Sequence, residues 1–191
     1  MRSLIITQSI TLDGSIEMLG DWFNPEAHDD ELAAELRRQD ETADALLVGR
    51  RTFEDFRSYW PYQADDPTGV ADYINNVAKY VVSSTITNPI WSNSTVLSGD
   101  PVEQVRTLKA APGGDIVATG SITLCHSLIA AGLVDEYRLF LYPCVQGGGR
   151  RLFPDGTTLS GFTPAAPPMS FPGGVTLVSW AAPKPSAHRG E

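Results

Sequence analysis

Short apolar runs alternate with helix-forming segments along this chain of 191 residues, and this alternation limits the possible folds more than any other feature. The runs at 45–48, 80–82 and 115–118 are each followed by small or polar residues that lead into a helix or a turn. Strands that alternate with helices in this way form a largely parallel sheet covered on both faces. The sequence therefore predicts an α/β fold, a three-layer α/β/α sandwich around a central mixed, mostly parallel sheet.

Local signals predict where individual elements begin and end. Asn24 and Pro25 are a favourable N-cap and N1 pair, so the first helix is predicted to start there and to run to about Thr42. A second helix is predicted to begin near Thr52. The proline-rich segment 163–174 is predicted to be a loop before a last strand at 175–180, which adds an antiparallel edge because no crossover helix precedes it.

Composition excludes several classes of partner. The net charge is −9 and the pI is about 4.7, whereas binding to nucleic acid or to an anionic membrane needs a basic face. The apolar run after Met1 is too short for a signal sequence, and no run is long enough to span a membrane. We therefore expect a cytoplasmic protein with one domain at 1–182 and a flexible tail at 183–191. Two cysteines suggest reduced thiols rather than a disulfide framework.

The first candidate binding element is the junction at 48–52. Gly49 follows a buried strand and permits a tight turn, and the helix after it offers backbone N–H groups to an anion. Arg50 and Arg51 add guanidinium groups suited to phosphate. The junction favours phosphate binding, with a surface arginine pair on an acidic chain as the alternative.

Two further strand ends have related chemistry. Thr119, Gly120 and Ser121 lead into a helix at Ile122 and suit a pyrophosphate held by backbone amides. The junction lacks the Gly-x-Gly-x-x-Gly spacing of a Rossmann fingerprint. The hydroxyl cluster at 83–85 is a weaker signal, because such clusters often form ordinary turns. The glycines at 147–149 form either a turn or an edge of the cofactor site.

Other chemistries lack a pattern in this sequence. The histidines at positions 28, 126 and 188 have no metal-ligand spacing, so no metal site is predicted. The Gly-x-Ser-x-Gly elbow and the phosphate-binding loop of ATPases are both absent. Anion-binding turns without an evident nucleophile suit hydride transfer, in which the cofactor supplies the chemistry.

The three junctions, in this order, resemble those of the dihydrofolate reductase-like superfamily. The segment 47–54 resembles the cofactor turn of dihydrofolate reductases, 80–84 resembles the strand that carries their adenosine-phosphate serines, and 117–121 falls at their Gly-Gly peptide. This chain differs at the first glycine of that Gly-Gly peptide, where it has Thr119.

The resemblance is closer to the branch that contains the C-terminal reductase domain of the riboflavin biosynthesis deaminase-reductase. The segments that carry it are 9–14, 132–136 and 143–153, the last with the pattern Gly147-x-Gly149-x-x-Leu152-Phe153. This resemblance implies bound NADPH and commonly a homodimer. Its cofactor residues, carried over by position, are Arg50, Ser83 and Ser84 around the 2′-phosphate, Thr52, Gly120, Ser121 and Ile122 at the pyrophosphate, and Arg51 close by.

The substrate side is less constrained by sequence. Asp13 either donates a proton or anchors the substrate, or else it only caps the turn after the first strand. Trp22, Phe56 and Trp60 could form an aromatic wall for a heterocycle, or belong to the core. Glu31 and Glu35 are candidates on the first helix, where dihydrofolate reductases place a carboxylate against the pteridine.

The function predicted from these features is an NADPH-dependent reductase that transfers a hydride to a small heterocyclic or carbonyl-bearing substrate. One alternative is a non-catalytic, nucleotide-binding dimeric scaffold of the same fold. Another is a flavin-dependent protein that uses the same turns.

Overall fold

The structure is a computed structural model that describes residues 1–24, 29–63 and 66–183. Its strands are β1 (Leu4–Thr11), β2 (Ala43–Gly49), β3 (Ala78–Val82), β4 (Ser94–Leu97), β5 (Asp115–Ala118), β6 (Glu136–Tyr142), β7 (Thr163–Ser170) and β8 (Thr176–Ala181). Its helices are α1 (Asp30–Asp40), α2 (Arg50–Tyr59), α3 (Val70–Asn76), α4 (Pro101–Ala110) and α5 (Ile122–Ala130), with a 3₁₀ turn at Trp60–Tyr62.

All eight strands form one mixed sheet in the order β4-β3-β2-β5-β1-β6-β8-β7. The pairs from β4 to β6 are parallel, and β8 pairs antiparallel with both β6 and β7. This arrangement confirms the predicted α/β fold with a mostly parallel sheet and an antiparallel edge.

The helices divide between the two faces of the sheet. On one face α4 and α5 cover the central strands, where Leu128 and Val105 pack with Leu4, Ile6 and other buried residues. On the opposite face α2 and α3 pack over β2 and β3 in one cluster, and α1 packs over β6 and β8 in another. On that second face, the central strands β1 and β5 therefore lie between the area covered by α2 and α3 and the area covered by α1.

The start of the first helix differs from the prediction. Helix α1 begins at Asp30, and Asp29 is its N-cap, with a carboxylate that accepts hydrogen bonds from the backbone N–H groups of Glu31 and Leu32. An aspartate satisfies the N-terminal donors as well as the asparagine that the sequence pattern favoured. Pro25, the predicted first residue, lies outside the described residues.

The prediction of a proline-rich loop at 163–174 is wrong for its first part, because Thr163–Ser170 is strand β7. A proline cannot donate a ladder hydrogen bond, but an edge strand has one side that needs none. Strand β7 lies at the edge of the sheet and its register shifts at two places, which accommodates its three prolines.

None of the helices in the described part of the chain combines the length and the apolar composition that a membrane span requires. Both cysteines are free thiols, Cys125 buried and Cys144 half-buried. Most of the predicted tail, from residue 184 onward, lies outside the described residues.

Candidate functional site

The order of the strands creates a crevice at the carboxyl ends of β2 and β5. These neighbouring parallel strands continue into helices on opposite faces, β2 into α2 and β5 into α5. In open α/β sheets, ligands bind in the crevice that forms where the direction of winding reverses. The first candidate site is therefore the space between the starts of α2 and α5.

Hydrogen bonds join the two junctions directly. The backbone N–H of Gly49 donates to the Ser121 hydroxyl at 2.8 Å, and the backbone N–H of Ser121 donates to the Thr52 hydroxyl at 2.9 Å. These hydrogen bonds join three residues that the sequence predicted for this site, Gly49, Thr52 and Ser121, and a fourth, Gly120, lies beside Thr52.

Both the backbone conformation at position 120 and the side chains around it favour a glycine. Its φ is +56°, and a Cβ there would lie 2.9 Å from the Thr52 Cγ2 atom. From β1, the buried Gln8 donates from Nε2 to the Gly120 carbonyl at 2.7 Å. The turn after β5 is therefore held from both sides, by α2 and by β1.

The helices that start at the crevice differ from α1 and α4 in how they begin, and α3 shares with them only the lack of a side-chain cap. Helices α1 and α4 have aspartate N-caps and acidic first turns, whereas α2 and α5 have no side-chain cap and no acidic residue in the first turn. Helix α2 instead begins with Arg50 and Arg51, although a cation opposes the positive end of the helix dipole. A bound anion would reconcile the arginines with that dipole.

Arg50 and the serines after β3 lie at the same edge of the sheet. Gly49 pairs with Val82 in the register of β2 and β3, so Arg50 and Ser83 follow at adjacent strand ends. The Ser83 hydroxyl accepts from the backbone N–H groups of Thr85 and Ile86, and Ser84 is exposed. The exposed Arg50 pairs with Glu54 at 2.9 Å.

A second part of the site is an open stretch of sheet above β1 and β5. Even-numbered side chains of β1 and β5 pack against α4 and α5, so the odd-numbered ones face the opposite side. Thr7, Ser9 and Val117 are only half-buried although they belong to central strands, and Thr119, the residue after β5, is half-buried as well. Helix α1 and helices α2–α3 therefore flank a cleft whose floor carries mainly hydroxyl groups.

Asp13 organises a loop rather than facing a substrate as an acid. Its carboxylate accepts from the Thr11 hydroxyl at 2.5 Å and from the backbone N–H groups of Gln146 and Gly147 at 3.2 and 2.8 Å. These hydrogen bonds, that from Thr11 first, lower the pKa of Asp13 to about 2. A carboxylate that is ionised at neutral pH cannot donate a proton, so the geometry favours the turn-capping alternative.

The glycines at 147–149 belong to this loop. The backbone N–H of Ile16 donates to the Arg150 carbonyl at 3.0 Å, which folds the loop against the turn after β1. A Cβ on Gly149 would lie 2.6 Å from the Gln146 side chain and 2.8 Å from the Ser15 hydroxyl. Gly149 is therefore tightly packed in this loop, whereas Gly147 and Gly148 have open space around their Cβ positions.

The predicted aromatic wall is divided between two places. Trp22 packs edge-on against Tyr142 with ring centroids 5.2 Å apart, and its Nε1 donates to the Gln146 side chain at 2.5 Å. Phe56 and Trp60 instead pack with each other and with the cluster over β2 and β3. Phe56 and Trp60 thus fit the core alternative, because α2 holds them against a different part of the sheet from Trp22.

The carboxylates of α1 do not enter the cleft beside α3. Arg37 donates to the Thr68 carbonyl next to α3, and Glu35, two residues earlier, lies about 200° around the helix. Burial raises the pKa of Glu35, but hydrogen bonds from Arg38 and Gln39 outweigh it and lower that pKa. Glu31 is exposed. The structure thus gives Glu31 no substrate pocket, because the buried side of α1 faces the sheet.

Sequence reasoning missed the hydroxyl groups of Thr7, Ser9 and Tyr142. A signal was present, since Thr7, Ser9 and Thr11 alternate with Ile6, Gln8 and Ile10 along β1. No group of three or more histidine, cysteine, aspartate or glutamate side chains in the described part of the chain could hold a metal ion.

Comparison with solved structures identifies the fold. A putative riboflavin biosynthesis protein from Shewanella sp. PV-4 has a TM-score of 0.69 and 22% identity, over 95% of this chain and 99% of that one. Dihydrofolate reductase from Enterococcus faecalis, solved with NADP(H), has a TM-score of 0.58 and 16% identity, over 94% of this chain and 96% of that one. The protein has a dihydrofolate reductase-like fold.

Sequence comparison gives the family. The model of the RibD C-terminal domain family matches residues 2–167, so the chain belongs to that family. The uncharacterized protein YyaP of Bacillus subtilis (strain 168) is 32% identical over 161 residues, which are 81% of each chain. The family match and the fold shared with the solved structures thus agree.

Proposed function

We propose that the protein is an NADPH-dependent reductase that transfers a hydride to a small heterocyclic or carbonyl-bearing substrate. The observation that carries the proposal is the crevice between β2 and β5, where two uncapped helices begin and two arginines occupy the first turn of one of them. Backbone N–H groups at helix starts, together with guanidinium groups, are the donors that suit a dinucleotide polyphosphate.

Each part of the crevice has a role in this proposal. Thr52, Gly120, Ser121 and Ile122 would hold the pyrophosphate. The Ser121 N–H already donates to Thr52, so the next amides of α5 and the hydroxyl groups would contact the phosphate oxygens. Arg50, with Ser83 and Ser84, would bind the 2′-phosphate, with Arg51 and Thr119 close to the cofactor. Local cations of this kind allow an acidic chain to bind a polyanion.

When bound, the reduced nicotinamide supplies the hydride. The chain's own contribution is to orient the two reactants and to exclude water, for which the cleft above β1 and β5 provides space beside the crevice. A homodimer and a cytoplasmic location stay predictions.

Calorimetric titration with NADPH and NADH, on the natural protein and on Arg50→Ala, tests the proposal. We expect the natural protein to prefer NADPH, and Arg50→Ala to lose most of that preference, because only NADPH carries the 2′-phosphate. Arg106→Ala is the matched control, since Arg106 is also exposed and pairs within its own helix, with Glu103 at 3.4 Å.

No binding of NADPH at millimolar concentration would contradict the proposal, as would an unchanged preference in Arg50→Ala. Binding without oxidation of NADPH, against a panel of pterins, pyrimidinones and carbonyl compounds, would favour the non-catalytic scaffold. A yellow purified protein would favour a flavin.

A further inference from the structure

The cleft above β1 and β5 carries hydroxyl groups where the middle of a sheet ordinarily carries aliphatic side chains. Thr7 and Thr119 follow the paired residues Ile6 and Ala118 in parallel strands, and Ser9 lies two residues further along β1. All three are half-buried. Polar side chains at such positions weaken hydrophobic packing, and departures of this kind are typical of functional sites.

The candidate carboxylates Asp13 and Glu35 are already engaged, and Glu35 lies on a side of α1 that does not enter the cleft. Asp13 accepts hydrogen bonds from Thr11 and from the backbone of the 146–147 segment. Glu35 accepts two hydrogen bonds from Arg38, at 2.7 and 2.6 Å, and one from Gln39. A positively charged heterocycle would therefore find neither carboxylate open to it, whereas a neutral molecule would find hydroxyl donors.

Tyr142 stands at the β6 side of this cleft in a fixed environment. It pairs with Thr11 in the register of β1 and β6, which puts it on the face of the odd-numbered β1 residues. Trp22 and Phe23 pack edge-on against its ring at 5.2 and 5.8 Å. Burial raises the pKa of Tyr142, and hydrogen bonding with the Ser9 side chain lowers it in part. The phenol thus keeps its proton at neutral pH and can donate it to a hydrogen bond.

We propose that Ser9 and Tyr142 bind the carbonyl group of a neutral substrate and that the Tyr142 phenol donates a hydrogen bond to its oxygen. This inference rests on the proposed hydride transfer. Addition of the hydride to the carbonyl carbon breaks the C=O π bond and leaves its electron pair on the oxygen. The substrate gains two electrons and the reduced nicotinamide loses two. A water molecule that enters the cleft after the transfer gives its proton to the oxygen to complete the alcohol and leaves as hydroxide.

The Tyr142 phenol acts in this step where the negative charge develops. A donor fixed in advance, with little access of water, stabilises such a charge more than a mobile solvent molecule does. The edge-on contacts of the Tyr142 ring with Trp22 and Phe23 provide that fixed position. The hydroxyl groups of the cleft also determine which substrates bind, because they favour neutral carbonyl compounds over cations.

Ligand-observed NMR titration of the protein, without cofactor, tests this inference with three probes. Uracil and 2-cyclohexenone are neutral cyclic carbonyl compounds, and 2,4-diaminopyrimidine at pH 6 is their positively charged counterpart. We expect at least one neutral probe to bind more tightly than the cation. Tyr142→Phe should weaken that binding by about tenfold, the loss expected for one hydrogen bond, and Ser9→Ala should weaken it in the same direction.

Tyr62→Phe is the matched control, because it removes the same hydroxyl from a tyrosine that is 78% exposed. Unchanged affinity in Tyr142→Phe, preference for the cation, or no binding of either neutral probe would overturn the inference. Thermal unfolding shows whether each variant is folded. A parallel NADPH titration separates the two proposals: normal NADPH affinity with a failed probe result leaves the proposed function standing, whereas absent NADPH binding counts against that function itself.

Discussion

The Ser121 hydroxyl accepts a hydrogen bond from the Gly49 backbone N–H at 2.8 Å, and this contact ties the start of α5 to the end of β2. The two residues are 72 positions apart in the chain. Their contact brings the two strand-end turns of the candidate cofactor site together before any ligand arrives. The first two predictions concern this contact between the end of β2 and the start of α5.

Ser121→Ala should weaken NADPH binding by about tenfold and lower the free energy of unfolding by about 1 kcal/mol, since the Gly49 N–H loses its acceptor. Calorimetry and chemical denaturation measure the two effects. Ser127→Ala is the control in the same helix, because the Ser127 hydroxyl donates only to a carbonyl one turn back. Equal effects of the two variants on NADPH affinity would contradict the role given to Ser121.

Gly120→Ala should destabilise the protein by about 2 kcal/mol, because the new Cβ meets the Thr52 side chain in a backbone conformation unfavourable to alanine. Gly132→Ala separates the two causes, since Gly132 has a φ of +62° but open space around its Cβ position. Gly132→Ala should therefore lower the free energy of unfolding by less than Gly120→Ala does, by about 1 kcal/mol. A Gly132→Ala variant as unstable as Gly120→Ala would show that the contact with Thr52 contributes nothing.

Asp13→Asn should release the loop that Asp13 holds. An asparagine has one acceptor oxygen and an NH₂ group that cannot accept, so it cannot serve the Gln146 and Gly147 amides and the Thr11 hydroxyl together. Hydrogen exchange at the Gln146 and Gly147 amides should accelerate, and Asp21→Asn, in the same stretch of chain but exposed, should leave it unchanged. Slow exchange in Asp13→Asn would mean that other contacts hold the loop.

Asp40→Asn should stabilise the protein at pH 7. Burial at the end of α1 raises the pKa of Asp40 to about 7. Below pH 4 both states keep the proton; between pH 4 and 7 the unfolded chain releases it while the folded one retains it, so stability falls as pH rises through this range. The variant should lack this fall and gain about 2 kcal/mol at pH 7.

Denaturation series at pH 4 and pH 7 measure the Asp40 effect. Asp55→Asn, at an exposed position in α2, is the control and should change stability little at either pH. A gain in Asp40→Asn of equal size at pH 4 and pH 7 would mean that its cause is not the ionisation of Asp40.

The parts of the site that sequence predicted are those with a local cause. Gly49 is the last residue of β2 and Gly120 comes two residues after β5. A glycine at the end of a short buried strand marks a turn into a helix whatever the rest of the chain does. Arg50 and Arg51 stand beside one of these glycines, so their place at the crevice followed from chain order alone.

The features of the site that could not be predicted from the sequence depend on contacts between residues far apart in the chain. Asp13 meets Gly147 across 134 positions, so its role in the loop has no local signature. The open hydroxyl floor exists only because α1 packs over β6 and β8 while α2 and α3 pack over β2 and β3. Strand β7 shows the converse, since its prolines locally favour a loop and only its edge position permits a strand.

Hydrogen–deuterium exchange of the protein with and without saturating NADPH tests the central claim most directly, because it reports both binding and its place. The account predicts slower exchange in the segments 47–54 and 118–124, which contain the starts of α2 and α5. Protection confined to other segments, or no protection at millimolar NADPH, would contradict it.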